Sequence, residues 1–187
     1  MCAVFVSHSK HDKEMVDFFT NITSRLGIRN FFMEWEDLEK KYPAKRISEI
    51  IQSNWVENVS MVVVLLGPNL ANPPNQHYTQ NWVTFEVGVA AGCNKPVLVL
   101  EEINHITNFP IPFVTDYLQY QLDNNDDRKR IGEVMNNIHQ VKTGNVRISD
   151  EIPKICGYDD CNAKFNLWQR YSDNISCPVC RRPLKIN

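Results

Sequence analysis

Apolar and polar positions follow two rhythms along the first 141 residues. Val4–Ser7 is a short apolar run and reads as a buried strand. Met15, Val16, Phe18, Phe19, Ile22 and Leu26 then recur at helical spacing, and Gly27 stands where such a helix would stop. Ser9, three residues before Asp12, resembles a capping box at the helix start. Ile28–Trp35 is rich in aromatic and branched residues and predicts a second strand; Glu36–Arg46, charged and containing Pro43, predicts a loop. Ile47, Ile50, Ile51 and Trp55 line one face of a second helix. Val59–Leu66 is a nearly continuous apolar run, the pattern of a strand covered on both faces. Gly67–Gln80 carries Pro68, Pro73 and Pro74 and predicts a loop, followed by a third helix over Asn81–Ala91 that ends at Gly92. Pro96–Leu100 predicts a fourth strand and Phe113–Leu122 a fifth. Asp126–Val141 is a last helix with Ile131, Val134, Ile138 and Val141 on one face.

Strands alternating with helices imply parallel pairing and right-handed crossovers. The expected architecture is α/β: a doubly wound, five-stranded parallel sheet of the flavodoxin-like kind. Ligands of such sheets sit outside the carboxyl ends of the strands, so the segments after Ser7, Trp35 and Leu66 are expected to converge on a site. Neither a G-x-G-x-x-G nor a Walker A phosphate loop occurs.

The cysteines change the picture at the other end. Cys2 and Cys93 are isolated, but Cys156, Cys161, Cys177 and Cys180 fall within the last 32 residues, as C-x-x-x-x-C and C-x-x-C pairs with 15 residues between them. That spacing predicts a tetrahedral four-cysteine zinc site of structural type, with no open coordination position. Two local disulfides or free thiols are the competing reading. No basic region precedes the short apolar stretch at the N-terminus, so a secretory signal is not expected, and in a reducing cytoplasm metal outranks disulfide. Charge divides at the same place: residues 1–153 carry a net −5 and residues 154–187 a net +3, within an overall −2. The expected organisation is a domain over residues 1–141, a polar linker over 142–153 (KTGNVRISDEIP) and a cysteine module over 154–187. With 43% hydrophobic and 22% charged residues the composition is globular. The longest apolar run, Met61–Leu66, is far short of the ~20 residues of a membrane helix, so no membrane partner is expected. The overall charge excludes a strong general attraction to nucleic acid.

Glu86 is the most unusual residue. It stands in NWVTFEVGVAAG, where apart from Thr84 its neighbours are apolar or small. A helix puts Trp82 and Glu86 on one face, and a carboxylate beside an indole is a candidate catalytic group. A Glu on the solvent stripe of an amphipathic helix has the same spacing. Ser7, His8 and Ser9 follow the first strand and are placed either to touch a ligand or to cap the next helix. Trp35 stacks on a ring or belongs to the core. Cys93 reads as a small buried residue with no base indicated by spacing.

Together these pieces resemble Toll/interleukin-1 receptor (TIR) domains. Val4-Phe5-Val6-Ser7-His8 is similar to that family's first box, FFMEWEDLEKKYPAKRISEII to its second strand with the following loop and helix, and SMVVVLLGPN to its third strand and turn. Trp82-Val83-Thr84-Phe85-Glu86 matches the W-x-x-x-E pattern of TIR domains that hydrolyse NAD+. The resemblance spans about residues 3–141 and departs from the family at His8, where an aromatic residue or Tyr is common, and in the Gly-poor loop Glu36–Arg46. It implies that Glu86 is the catalytic carboxylate and that Ser7, His8, Ser9, Trp35, Asp37 and Trp82 border the NAD+ pocket. The implied activity is cleavage of the nicotinamide–ribose bond to nicotinamide and ADP-ribose or a cyclic isomer, with zinc structural and NAD+ the substrate. It also implies a homo-oligomer through the TIR domain, a diffusible product acting on a downstream effector, and antiphage defence. The alternatives are a non-enzymatic TIR interaction module and a nucleoside deoxyribosyltransferase-like enzyme. A further one is nucleic-acid binding by Arg181, Arg182 and Lys185 with Trp168 and Tyr171 stacking on bases, which the modest charge disfavours.

Overall fold

The structure is a computed structural model and describes residues 3–33, 49, 53, 58–71, 76–142, 152–168 and 174–184. Strands β1 (Ala3–Ser7), β2 (Arg29–Phe32), β3 (Met61–Leu66), β4 (Val97–Glu102) and β5 (Asp116–Tyr120) pair in parallel. Helices α1 (Lys13–Arg25), α2 (Pro68–Ala71), α3 (Gln76–Gly92) and α4 (Asn125–Lys142) connect or cover them. A last hairpin, β6 (Ile152–Ile155) and β7 (Lys164–Leu167), completes one sheet of seven strands in the order β2-β1-β3-β4-β5-β7-β6.

Burial explains the strand sequences. Every residue of β3, β4 and β5 is buried: β3 is a continuous apolar run, as a strand covered on both faces requires, while β4 ends in Glu101 and Glu102 and β5 carries Asp116 and Gln119. On one face Phe5, Val62, Val64, Leu66, Val97, Val99 and Tyr117 pack with Val83, Val87 and Ala90 of α3. On the other, Val4, Val6, Met61, Val63, Leu65, Leu98, Leu100, Leu118 and Tyr120 pack with the apolar stripes of α1 and α4. The register alternates as period two demands, so Ser7 falls on the α3 face at the carboxyl end of β1.

Two turns fix how the chain enters and leaves these elements. Gly27, at φ +66°, closes α1: its amide bonds Ser24 O at 3.2 Å and the Ile28 amide bonds Thr23 O at 2.9 Å, a Schellman motif. Gly67 joins β3 to α2, where a Cβ would lie 2.1 Å from Met15 Sδ and 2.8 Å from Asp12 Oδ2, so any side chain here would force Met15 and Asp12 to shift.

The sheet has more strands than the five expected: six are parallel, and β6 is an antiparallel edge. The addition comes from the cysteine segment. Asp116 and Tyr117 of β5 pair with Asn166 and Leu167 of β7. The buried Asp116 carboxylate accepts from Trp168 Nε1 at 2.8 Å, Asn166 Nδ2 at 3.1 Å and Thr115 Oγ1 at 2.8 Å. β6 begins at Ile152, inside the stretch read as a linker. Helix α3 begins at Gln76, five residues before the expected Asn81, because the prolines that signalled a loop precede its first turn. Its end at Gly92 matches, but the left-handed residue beyond it is Asn94, at φ +52°. Ile47, Ile50, Ile51 and Trp55, the predicted face of a second helix, lie outside the described residues. Among the described residues no helix is long and apolar enough to cross a membrane.

Candidate functional site

The carboxyl end of β1 and the middle of α3 meet on one face of the sheet. Val83, Val87 and Ala90 seat α3 on the strands, and Glu86, between them on the same side, is carried inward to 7% exposure. Ser7, 1% exposed, donates its hydroxyl to Glu86 Oε2 at 2.5 Å. A short O–H···O bond of this kind fixes the orientation of the Glu86 side chain. The solvent-stripe reading of Glu86 is therefore overturned. Trp82, one turn earlier, is partly buried against the same core and meets Phe85 edge-on at 5.5 Å between centroids.

His8 and Ser9 do different work from each other. His8 Nδ1–H donates to Val6 O at 3.2 Å, and its ring meets Phe32 of β2 edge-on at 5.3 Å. Ser9 is buried in the turn into α1: its carbonyl accepts from the Asp12 amide at 3.0 Å and its hydroxyl from the His11 amide at 3.4 Å. The expected capping box does not form. Asp12 itself is the N-cap residue and makes no side-chain cap; its Oδ1 instead accepts from the Asn69 amide and side chain at 3.0 and 2.7 Å. Of the predicted site residues, Ser7 and Glu86 are thus in contact, with Trp82 and His8 on adjoining turns. Trp35 and Asp37 lie outside the described residues.

The four cysteines converge. The Sγ atoms of Cys156, Cys161, Cys177 and Cys180 all lie within 4.8 Å of one another. Cys156 and Cys180 are 3.6 Å apart and Cys161 and Cys177 4.0 Å, far beyond the ~2.05 Å of a disulfide. A tetrahedron of sulfurs at ~2.3 Å from a zinc ion has edges of about 3.8 Å, so the cluster fits such an ion. Each cysteine pair closes a turn whose next residue is left-handed: Asn162 at φ +46° and Arg181 at φ +61°. Burial pushes the Cys177 thiol up to about 12. Burial acts on Cys180 in the same direction, but hydrogen bonds from the Arg182 side chain and backbone outweigh it and bring that thiol down to about 6. Arg182 Nε donates to Cys180 Sγ at 3.4 Å while its guanidinium covers the Tyr158 ring at 3.9 Å.

Two residues proposed for base stacking or phosphate contact are committed elsewhere. Trp168 is buried with its indole N–H on Asp116, and Arg181 is buried against Glu101. Tyr171 and Lys185 lie outside the described residues. The Glu101–Arg181 pair escaped sequence reasoning; its one local signal is an acidic residue closing the apolar run PVLVLEE.

No family model and no curated protein matches the chain. Among solved structures it is similar to the TIR domains of the activated Roq1 resistosome that directly recognises the pathogen effector XopQ. The identity is 16% and the TM-score 0.39, over 55% of this chain and 58% of that one. The match thus spans little more than half the length of that neighbour.

Proposed function

We propose that the chain is a TIR-type NAD+ glycohydrolase or cyclase, with Glu86 as its catalytic carboxylate and one structural zinc ion on Cys156, Cys161, Cys177 and Cys180. The observation that carries this reading is the 2.5 Å bond from Ser7 to Glu86, buried at the carboxyl end of a doubly wound sheet, where such folds act on ligands. The W-x-x-x-E pattern at Trp82–Glu86 supports it from the sequence side.

The chemistry suits one oriented carboxylate. Nicotinamide leaves NAD+ as a neutral pyridine, so its departure needs no general acid. The C–N bond breaks with its electron pair going to the ring nitrogen, and positive charge develops on the ribosyl centre. Glu86 stabilises that charge electrostatically or holds the ribose hydroxyls, as carboxylates do in glycosidases. Water as acceptor loses a proton and gives ADP-ribose; an acceptor within the same nucleotide gives a cyclic isomer. On the same reading the protein works in the cytoplasm as a homo-oligomer through its TIR domain, and its product signals to an effector in antiphage defence.

The test is nicotinamide release from NAD+ by the purified full chain, with mass spectrometry of the second product. Wild type is expected to turn over and Glu86→Gln to lose about 10²–10³ or more of that rate. Equal turnover in the two proteins would refute the assignment, and a wild type inactive as an oligomer would favour the non-enzymatic interaction module.

A further inference from the structure

β4 and β5 pair in parallel, and a parallel pair is ordinarily joined by a crossover helix that also covers the sheet. Here the connection, residues 103–115, holds only a 3-10 turn at Ile103–His105. The surface such a helix would cover is covered by the cysteine segment instead. Cys156, Phe165, Ile175, Cys177 and Leu184 share one core cluster with Ile111, Val114 and Tyr117.

Direct bonds tie the connection to the Cys177–Cys180 turn. The Ile111 amide donates to Pro178 O at 3.0 Å, and Arg181 Nε donates to Phe109 O at 2.7 Å. Arg181 Nη1 reaches both oxygens of Glu101, at 2.9 and 3.2 Å. That ion pair is buried, at 8% and 1% side-chain exposure. Glu101 also accepts from the Thr107 amide at 3.1 Å and from the Tyr117 hydroxyl, which in turn accepts from Gln119 Nε2 at 3.3 Å. Arg181 is aimed by its place in the cysteine turn: it follows Cys180 at φ +61°, and its amide donates to Cys177 O at 2.8 Å. A left-handed backbone at a non-glycine residue persists only where its surroundings hold it.

We propose that the metal-loaded cysteine turn is a brace standing in for the missing crossover helix: the bound ion holds Arg181 on Glu101 and thereby orders residues 103–115. This rests on the reading of the cysteine cluster as a metal site, and not on NAD+ cleavage. Loss of the ion frees the turn, withdraws Arg181 and leaves Glu101 as an uncompensated buried charge, which is strongly destabilising. The loosened segment lies at the carboxyl end of β4, on the sheet face that also carries Ser7 and Glu86, two strands from β1. Metal occupancy is then a conformational input to that edge of the sheet.

The experiment is amide hydrogen exchange on the purified full chain, as isolated and after metal removal with a strong chelator under reducing conditions, with metal content measured throughout. Stripping is expected to speed exchange at Thr107 and Ile111 by at least about tenfold more than at Ile22 of α1, on the opposite face. A rise at Thr107 and Ile111 no greater than at Ile22 overturns the brace. In Arg181→Met/Glu101→Gln, which removes both charges and leaves neither buried alone, the chelator effect at Thr107 is expected to shrink to within about threefold. A chelator effect as large as wild type's overturns the role of Arg181. A wild type that holds no metal yet protects these amides sinks the metal reading together with the brace, whereas bound metal without coupling sinks the brace alone.

Discussion

Removing the Ser7 hydroxyl isolates what the site's central hydrogen bond contributes. Ser7→Ala deletes one buried donor from Glu86 Oε2 at 2.5 Å and little else, because Ser7 is 1% exposed and its backbone stays in the β1 ladder. A hydrogen bond to a charged group is worth about 1.5–3 kcal/mol, so nicotinamide release should fall about 10- to 150-fold where the oriented carboxylate is what the transition state uses. Glu86→Gln keeps the shape and an acceptor for Ser7 but removes the charge, and should cost about 10²–10³ or more in rate. Its effect on stability runs the other way: exchanging a buried charge for a neutral amide is expected to leave the urea midpoint unchanged or to raise it. In the Gln background Ser7→Ala should have little further effect on rate, since no charge remains to orient, so the two changes are non-additive. The assay is nicotinamide release by chromatography for the four proteins of the cycle, alongside urea unfolding. Turnover in Glu86→Gln within about threefold of wild type, or a Ser7→Ala effect of equal size in both backgrounds, would refute the reasoning.

Trp168→Phe, which keeps most of the ring but deletes the 2.8 Å bond to Asp116, should lower stability by about 1.5–3 kcal/mol by urea unfolding while metal content stays unchanged; an unaltered midpoint counts against the hairpin as a fixed part of the sheet. Stability should also fall with rising pH above about 10. Tyr117 is held above its ordinary value by burial first and then by the Glu101 charge, and Tyr120 by burial first and then by Glu102 and Asp12. Both bind their protons more tightly folded than unfolded, so their contribution is complete below pH ~10 and lost above it, at about 1.4 kcal/mol per pH unit for each tyrosine. Unfolding midpoints that show no extra loss between pH 10 and 11 in wild type relative to Tyr120→Phe would contradict this.

Much of the α/β frame is legible because its signals are local. β3 and β4 are apolar runs with no competing period, and α1 and α4 carry clean stripes ending in Met15–Ile22 and Ile131–Ile138. The four-cysteine cluster is legible for a different reason: cysteine spacing survives without knowledge of the fold. What escaped depends on pairing across long separations. β7 is four residues long and meets β5 over two register pairs, and nothing local in KFNL says which strand it will join. Arg181 looks like an ordinary surface cation, and only the φ of its turn and a partner 80 residues away bury it.

Helix α3 shows why the sequence left Glu86 open. From Trp82 to Gly92 its residues are apolar or small apart from Thr84 and Glu86, so no stripe declares which side faces the sheet. A helix built for stability alone would turn Phe85 inward and Glu86 outward. The structure does the reverse: Phe85 is 37% exposed and Glu86 7%. Rotating the helix to exchange them would also lift Val83, Val87 and Ala90 off β3 and β4, so the aliphatic residues fix the rotation and the carboxylate is carried inward with them. The hydroxyl that meets it comes from Ser7, the last residue of a strand whose preceding Phe5 on that face is fully buried. A buried acid and an exposed aromatic in adjacent positions run against the stability rule at the place where the sheet's carboxyl edge can present a ligand site. Departures from local consistency concentrate where function is built. Asp116 and Glu101 are buried as well, and their donors lock the C-terminal hairpin and the cysteine turn onto the sheet.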